Sequence, residues 1–188
     1  MKRVLSLLIF TCALLHTLQA QTVIHSENFN TNTSGEWTAV SVLGPTDVWL
    51  FTSGYASVNG FGDENDEDWL VSPDINMDNS TVETFNFKYK NRFNGPLIEL
   101  YYTTNYTGSP STTTWTALSL ASLVANNTST VSTSFTTYPA IDISTLTGTV
   151  RFAFKYFGTS TLTKEWQIDD ISVTGTTPCV APDRKSVV

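Results

Sequence analysis

Cysteine, histidine and basic residues are scarce in this chain. Of its 188 residues, two are Cys and two are His. Cys12 and His16 sit near the start and Cys179 near the end, so the long stretch between them holds His25 alone. That excludes a Cys nucleophile, a Cys/His zinc site and a disulfide framework within the domain. It also leaves no credible Ser-His-Asp set, because the one remaining histidine is isolated near the N-terminus. Ten Lys and Arg stand against seventeen Asp and Glu, a formal net charge of −7. A nucleic-acid footprint needs clustered Lys and Arg, and no such cluster is present. No Gly-rich loop able to cradle a phosphate is present either.

The two ends read differently from the middle. Lys2-Arg3, the apolar run Val4 to Leu15 and Thr17-Leu18-Gln19-Ala20 have the layout of a secretory signal peptide cleaved near Ala20. The apolar run is shorter than the roughly 20 residues a membrane-spanning helix needs, and no later stretch reaches that length. Residues 1–20 are therefore expected to be an address, and the product to be secreted or displayed at the cell surface. After Gly175 the pattern dissolves into turn formers, Thr176-Thr177-Pro178-Cys179-Val180-Ala181-Pro182, which read as a linker. The last six residues, Asp183 to Val188, can be encoded by GAT CGG AAG AGC GTC GTG, a common sequencing-adapter sequence. Residues 176–188 are thus expected to be a linker and an artefactual tail, with further domains of the natural polypeptide missing.

Residues 21–175 leave room for one domain with a single core. No window carries an amphipathic helical stripe longer than two turns, whereas strand signals recur at short intervals between Gly, Pro, Asn and Asp. Phe85-Asn86-Phe87-Lys88-Tyr89 and Val150-Arg151-Phe152-Ala153-Phe154-Lys155-Tyr156 alternate apolar and polar, the pattern of a half-buried antiparallel strand. The whole predicts about ten strands and an all-β fold, an antiparallel β-sandwich of jelly-roll type.

Two acidic features stand out. Asp63-Glu64-Asn65-Asp66-Glu67-Asp68 is a dense run leading into Trp69-Leu70-Val71. It reads either as a solvated acidic loop or as oxygen ligands for a hard divalent cation, though it lacks the Gly and closing Glu of an EF-hand. In Trp166-Gln167-Ile168-Asp169-Asp170-Ile171-Ser172-Val173, Trp166 and Ile168 share one face, while Ile171 and Val173 have the opposite parity. Both halves can face one core only if the register slips at Asp169-Asp170, as a bulge would allow. One of these carboxylates then points inward or lies at the sheet margin. It needs either a cation, with Glu27 on the first strand as a further ligand, or backbone amides in a turn.

Several segments, in this order, carry a family resemblance. They are Glu27-Asn28-Phe29, Gly35-Glu36-Trp37, Asn65 to Pro73, Phe85 to Tyr89, Glu99 to Thr104, Phe152 to Tyr156 and Trp166 to Val173. Together they resemble the choice-of-anchor J domains of exported Bacteroidetes-type proteins, related to cleaved-adhesin and MAM-like jelly rolls. The resemblance implies a non-catalytic binding, adhesion or accessory module with structural calcium. It places metal ligands at Glu27 and at Asp169 or Asp170, and further acidic residues at Asp66 and Asp68.

Surface aromatics supply the remaining candidates. Trp69, Phe85, Phe87, Tyr89, Phe152, Phe154 and Trp166 fit inward strand positions. Tyr55, Phe61, Tyr101 or Tyr102, Tyr106 and Trp115 lie near turns or could face outward, where such rings stack on the apolar faces of sugars. A glycan or cell-surface ligand is the expected partner class, with a carbohydrate-binding module as the alternative function. A β-sandwich glycoside hydrolase is the enzymatic alternative. It would need paired carboxylates roughly 5–10 Å apart, and Glu67 with Glu99, or Asp170 with Glu165, are the pairs on offer.

Overall fold

The computed structural model describes residues 21–44, 49–62 and 65–177. The signal segment, the tail after Thr177, and Asp63-Glu64 of the acidic run all lie outside the described residues. Thirteen strands and no helix occur within them. They are β1 (Gln21–Glu27), β2 (Thr38–Leu43), β3 (Leu50–Thr52), β4 (Tyr55–Val58), β5 (Asn65–Val71), β6 (Ile75–Asn76) and β7 (Thr81–Arg92). After these come β8 (Glu99–Thr103), β9 (Thr116–Leu118), β10 (Thr136–Thr137), β11 (Ile141–Asp142), β12 (Thr149–Thr159) and β13 (Glu165–Thr176).

The strands form two antiparallel sheets packed face to face, an antiparallel β-sandwich. The first runs β10-β7-β13-β4-β3, with β1 also on β13 and β11 on β7; the second runs β2-β5-β12-β8-β9, with β6 on β12. Local chemistry sets several elements directly. The β3–β4 hairpin turns on Ser53-Gly54, both at positive φ (61° and 76°). That pairing of positive values suits a two-residue turn whose twist matches that of its strands. In β7 the alternation of buried and half-buried residues runs from Glu83 to Arg92, as expected for a strand with one face on a core.

The sandwich interior is aromatic. Phe154 lies 5.1 Å from Phe87, 6.0 Å from Phe85 and 6.3 Å from Trp37, so rings of both sheets interlock across the core. A long connection between β9 and β10 is tied down by Lys164. Its fully buried ammonium donates to Phe93 O (2.6 Å), Asn126 O (2.9 Å) and Asn127 Oδ1 (2.9 Å). Three neutral acceptors thus stand in for water around a buried charge, and burial lowers the Lys164 pKa below its ordinary value.

Two expectations change here. Asn65–Asp68 is not loop: it is strand, paired residue by residue with Tyr156–Thr159 of β12. Ladder hydrogen bonding to a neighbour holds these acids extended where their own chemistry would favour a turn. Trp69 does not join the main core. Leu70 takes that position, and Trp69 and Val71 form a second cluster on the outer face of the second sheet.

Candidate functional site

The phase slip in β13 is present. Its ladder to β7 shifts between Asp169 and Ser172, with Asp170 at φ +46°. Trp166 and Ile168 before the slip, and Ile171 and Val173 after it, are all buried in the main core. The bulge therefore does what the apolar pattern demands: it consumes one residue so that both halves of the strand face inward. Neither carboxylate enters the core. Asp170 is exposed and receives Lys88 Nζ at 2.6 Å, while Asp169 is half-buried in the ladder opposite Lys88 and accepts from Asp170 N at 2.7 Å. Burial pushes the Asp169 carboxyl above its ordinary value, against the lowering effect of that amide.

β1 brings Glu27 to the same place, pairing it with Ile171. Ser26, Glu27, Asn28, Asp170, Ile171 and Ser172 line one cavity of about 340 Å³. Glu27 Oε1 accepts from the amides of Asn28 (3.0 Å) and Phe29 (2.7 Å). Its Oε2 lies where a Cβ on Gly35 would stand, and Gly35 has φ +58°. Among the described residues, no three His, Cys, Asp or Glu side chains converge as a metal cluster. The cavity itself offers two carboxylates, those of Glu27 and Asp170, with the side-chain oxygens of Ser26, Asn28 and Ser172 beside them. Asp66 and Asp68 lie apart from it. They sit in β5 of the second sheet, both fully buried, with Gly44 and Gly60 packed against Asp66.

The aromatic candidates separate into different surroundings. Tyr106 and Trp115 join Trp69 and Tyr101 on the outer face of the second sheet; Trp69 stacks on Trp115 at 5.2 Å and lies 5.5 Å from Tyr101. This cluster is largely self-contained. Lys155 lies over Trp69 and Arg151 over Tyr106, Trp69 Nε1 donates to Glu67, and the Tyr101 hydroxyl donates to Glu99. Burial, with Glu99 beside it, pushes that hydroxyl up to about 12. Tyr102 turns the other way and packs against the main core. Phe61 is 82% exposed on the loop before β5.

Tyr55 occupies a third setting, on the outer face of the first sheet. Its ring meets Phe135 edge to face at 5.8 Å, although β7 and β13 lie between β4 and β10, the strand that Phe135 precedes. Strands are about 4.8 Å apart, so the two side chains arch over the middle of the sheet. Beneath and beside the arch, Arg92 donates to Glu165 Oε2 at 2.7 Å and Gln167 Nε2 donates to Glu165 Oε1 at 2.7 Å. Glu165 and Gln167 are each only 7% exposed despite facing away from the core. Sequence reasoning missed Phe135, Arg92 and Gln167, because nothing local announces that they meet Tyr55.

No protein-family model matches the chain, and no curated protein matches it. Solved structures do. The K3 cleaved adhesin domain of Lys-gingipain from Porphyromonas gingivalis aligns with TM-score 0.59 and 16% identity, over 82% of this chain and 99% of that one. The K1 cleaved adhesin domain of the same protein aligns with TM-score 0.54 and 12% identity, over 82% and 97%. TmCBM61 in complex with β-1,4-galactotriose aligns at 0.46 and 14%, over 78% and 92%. At these identities the two adhesin domains share a fold with this chain, an adhesin-like β-sandwich.

Proposed function

We propose that this chain is a non-catalytic binding or adhesion module of a larger exported protein, of the choice-of-anchor J type, clasped by a calcium ion where β1 meets the bulge of β13. The observation that carries the reading is the shared cavity. An interrupted ladder at Asp169-Asp170 and the end of β1 at Glu27 bring two carboxylates of distant sequence to one opening. Ca²⁺ takes six to eight oxygen ligands in flexible geometry and accepts carbonyls and amide oxygens beside carboxylates. Glu27 and Asp170 would hold it, with Ser26 and Asn28 as neighbouring oxygen donors; Asp169, whose Oδ1 holds the Asp170 amide, would support the bulge. The ion would supply the positive charge that fixes the first strand to the last. Lys88 is its competitor, since it already balances Asp170.

A binding role also suits the other carboxylates nominated for catalysis. Glu67 is engaged by Trp69 Nε1 and Lys155, and Glu165 by Arg92 and Gln167. Neither offers an unengaged carboxyl to a scissile bond.

Calorimetric melting of the purified chain in Ca²⁺ and in EGTA tests the clasp. The expected result is a higher Tm in Ca²⁺ that disappears in Glu27→Gln and Asp170→Asn. Equal melting in the two buffers removes calcium from the reading.

A further inference from the structure

We infer that the cavity beside the Tyr55–Phe135 arch is a binding groove for a neutral glycan chain. The inference rests on the reading of the chain as a non-catalytic binding module and says what that module would bind and where.

The groove is about 300 Å³, at the lower end of the range for small-molecule sites. Tyr55 and Leu50, the latter 60% exposed, both line it. Ser57, Asn59, Glu165 and Gln167 complete the lining with hydroxyl, amide and carboxylate groups. An aromatic wall facing a row of planar hydrogen-bonding groups suits one chemistry: a sugar ring, apolar on its C–H face and hydroxylated around its edge. Water would not need Tyr55, and an apolar ligand would strand the amides.

The polar side of the groove is also preorganised. Glu165 is fixed by Arg92 on one oxygen and by Gln167 on the other, and both Glu165 and Gln167 are more than nine-tenths buried. Strand register sets their spacing. Gln167 lies opposite Ser57 on one side and Lys90 on the other, and Glu165 lies opposite Arg92. Little side-chain entropy remains for a ligand to remove, which favours binding by groups that are individually weak.

Charge decides which glycan. The cations on this face are committed: Arg92 to Glu165, Lys88 to Asp170, and Lys90 over the Phe135 ring at 4.4 Å. Arg92 and Glu165 balance one another, so an acidic sugar would find no free cation lining the groove to offset the desolvation of its carboxylate. A neutral chain needs no such partner, and the open rim lets it extend past the groove.

The test is titration calorimetry of the full chain, with Ca²⁺ present, against cellohexaose, mannohexaose, xylohexaose and polygalacturonate. Tyr55→Ala, Gln167→Ala and, as a control on the opposite sheet, Trp115→Ala follow, each checked by its melting curve. Binding of at least one neutral hexaose, weakened at least tenfold by Tyr55→Ala or Gln167→Ala and unchanged by Trp115→Ala, supports the groove. No binding of any neutral hexaose at millimolar concentration, loss only in Trp115→Ala, or preference for polygalacturonate overturns it. Chromatography of the recovered sugar separates the two levels. Cleaved product with variant-sensitive binding supports the groove and refutes the non-catalytic reading. Absence of binding alongside a Ca²⁺-dependent melt overturns the groove alone.

Discussion

Replacing Gly35 with Ala should destabilise the protein, and the reason lies eight residues earlier. Gly35 sits at φ +58°, and a Cβ there overlaps Glu27 Oε2. Forcing an L-residue into the left-handed region costs about 1 kcal/mol or slightly more. Displacing the Glu27 carboxylate also gives up the amide hydrogen bonds of Asn28 and Phe29. Bonds to a charged acceptor are each worth roughly 1.5–3 kcal/mol when dry. Glu27 is only half-buried and Asn28 is exposed, so water recovers part, and about 2 kcal/mol for the pair is the fair figure. The sum, about 3 kcal/mol, corresponds to a fall in Tm of about 6–12 °C for a domain of this size. Urea unfolding followed by tryptophan fluorescence, in EGTA so that no metal contributes, measures it. The decisive comparison is the Glu27→Ala background, where the obstacle is gone. There Gly35→Ala should cost only about 1 kcal/mol, a coupling of about 2 kcal/mol. Equal costs in the two backgrounds would refute the packing argument.

Two further outcomes follow from buried polar groups. His25 Nε2 accepts from Trp37 Nε1 at 3.1 Å, which requires the neutral ring, and burial lowers its pKa from the ordinary 6.5 against the raising effect of Glu36 and Glu27. The unfolded chain therefore takes up this proton first, so the stability it represents is complete above pH 6.5 and is lost as pH falls through the lower folded value. The Tm gap between wild type and His25→Gln should narrow below pH 6.5; a gap independent of pH would contradict this. Lys164→Met should remove about 2–4 kcal/mol by stranding Phe93 O, Asn126 O and Asn127 Oδ1. Limited proteolysis should then cut first around Val124 to Thr130, and an unchanged cleavage pattern would show that Lys164 does not tether that connection.

Both the proposed glycan groove and the proposed calcium clasp depend on strand faces, and strand faces were legible only in places. Where apolar and polar residues alternate, as in Phe85 to Tyr89 and Phe152 to Tyr156, parity names the inward side. The opposed parities of Trp166/Ile168 and Ile171/Val173 likewise required the slip that the ladder shows. At Trp69-Leu70-Val71 every residue is apolar, so parity has no sign. Only the covering of the outer face by Tyr101, Tyr106 and Trp115 explains why Trp69 lies there. At Tyr101-Tyr102 the sequence left open which ring faces outward, and the structure puts Tyr101 there. Asn65–Asp68 read as loop because strong charge disfavours burial, yet β12 holds the whole segment extended, with β2 also pairing Glu67 and Asp68.

By itself the sequence determined the all-β class, the alternating strands and the bulge at Asp169-Asp170. All of these follow from steric and apolar patterns over neighbouring residues. Tertiary structure alone decided that Lys164 is buried among carbonyls, that Tyr55 meets Phe135 across the first sheet, and that Tyr55 shares a groove with Glu165 and Gln167. Those meetings are set by which strands become neighbours, and strand order is a property of the whole packed core rather than of any short segment.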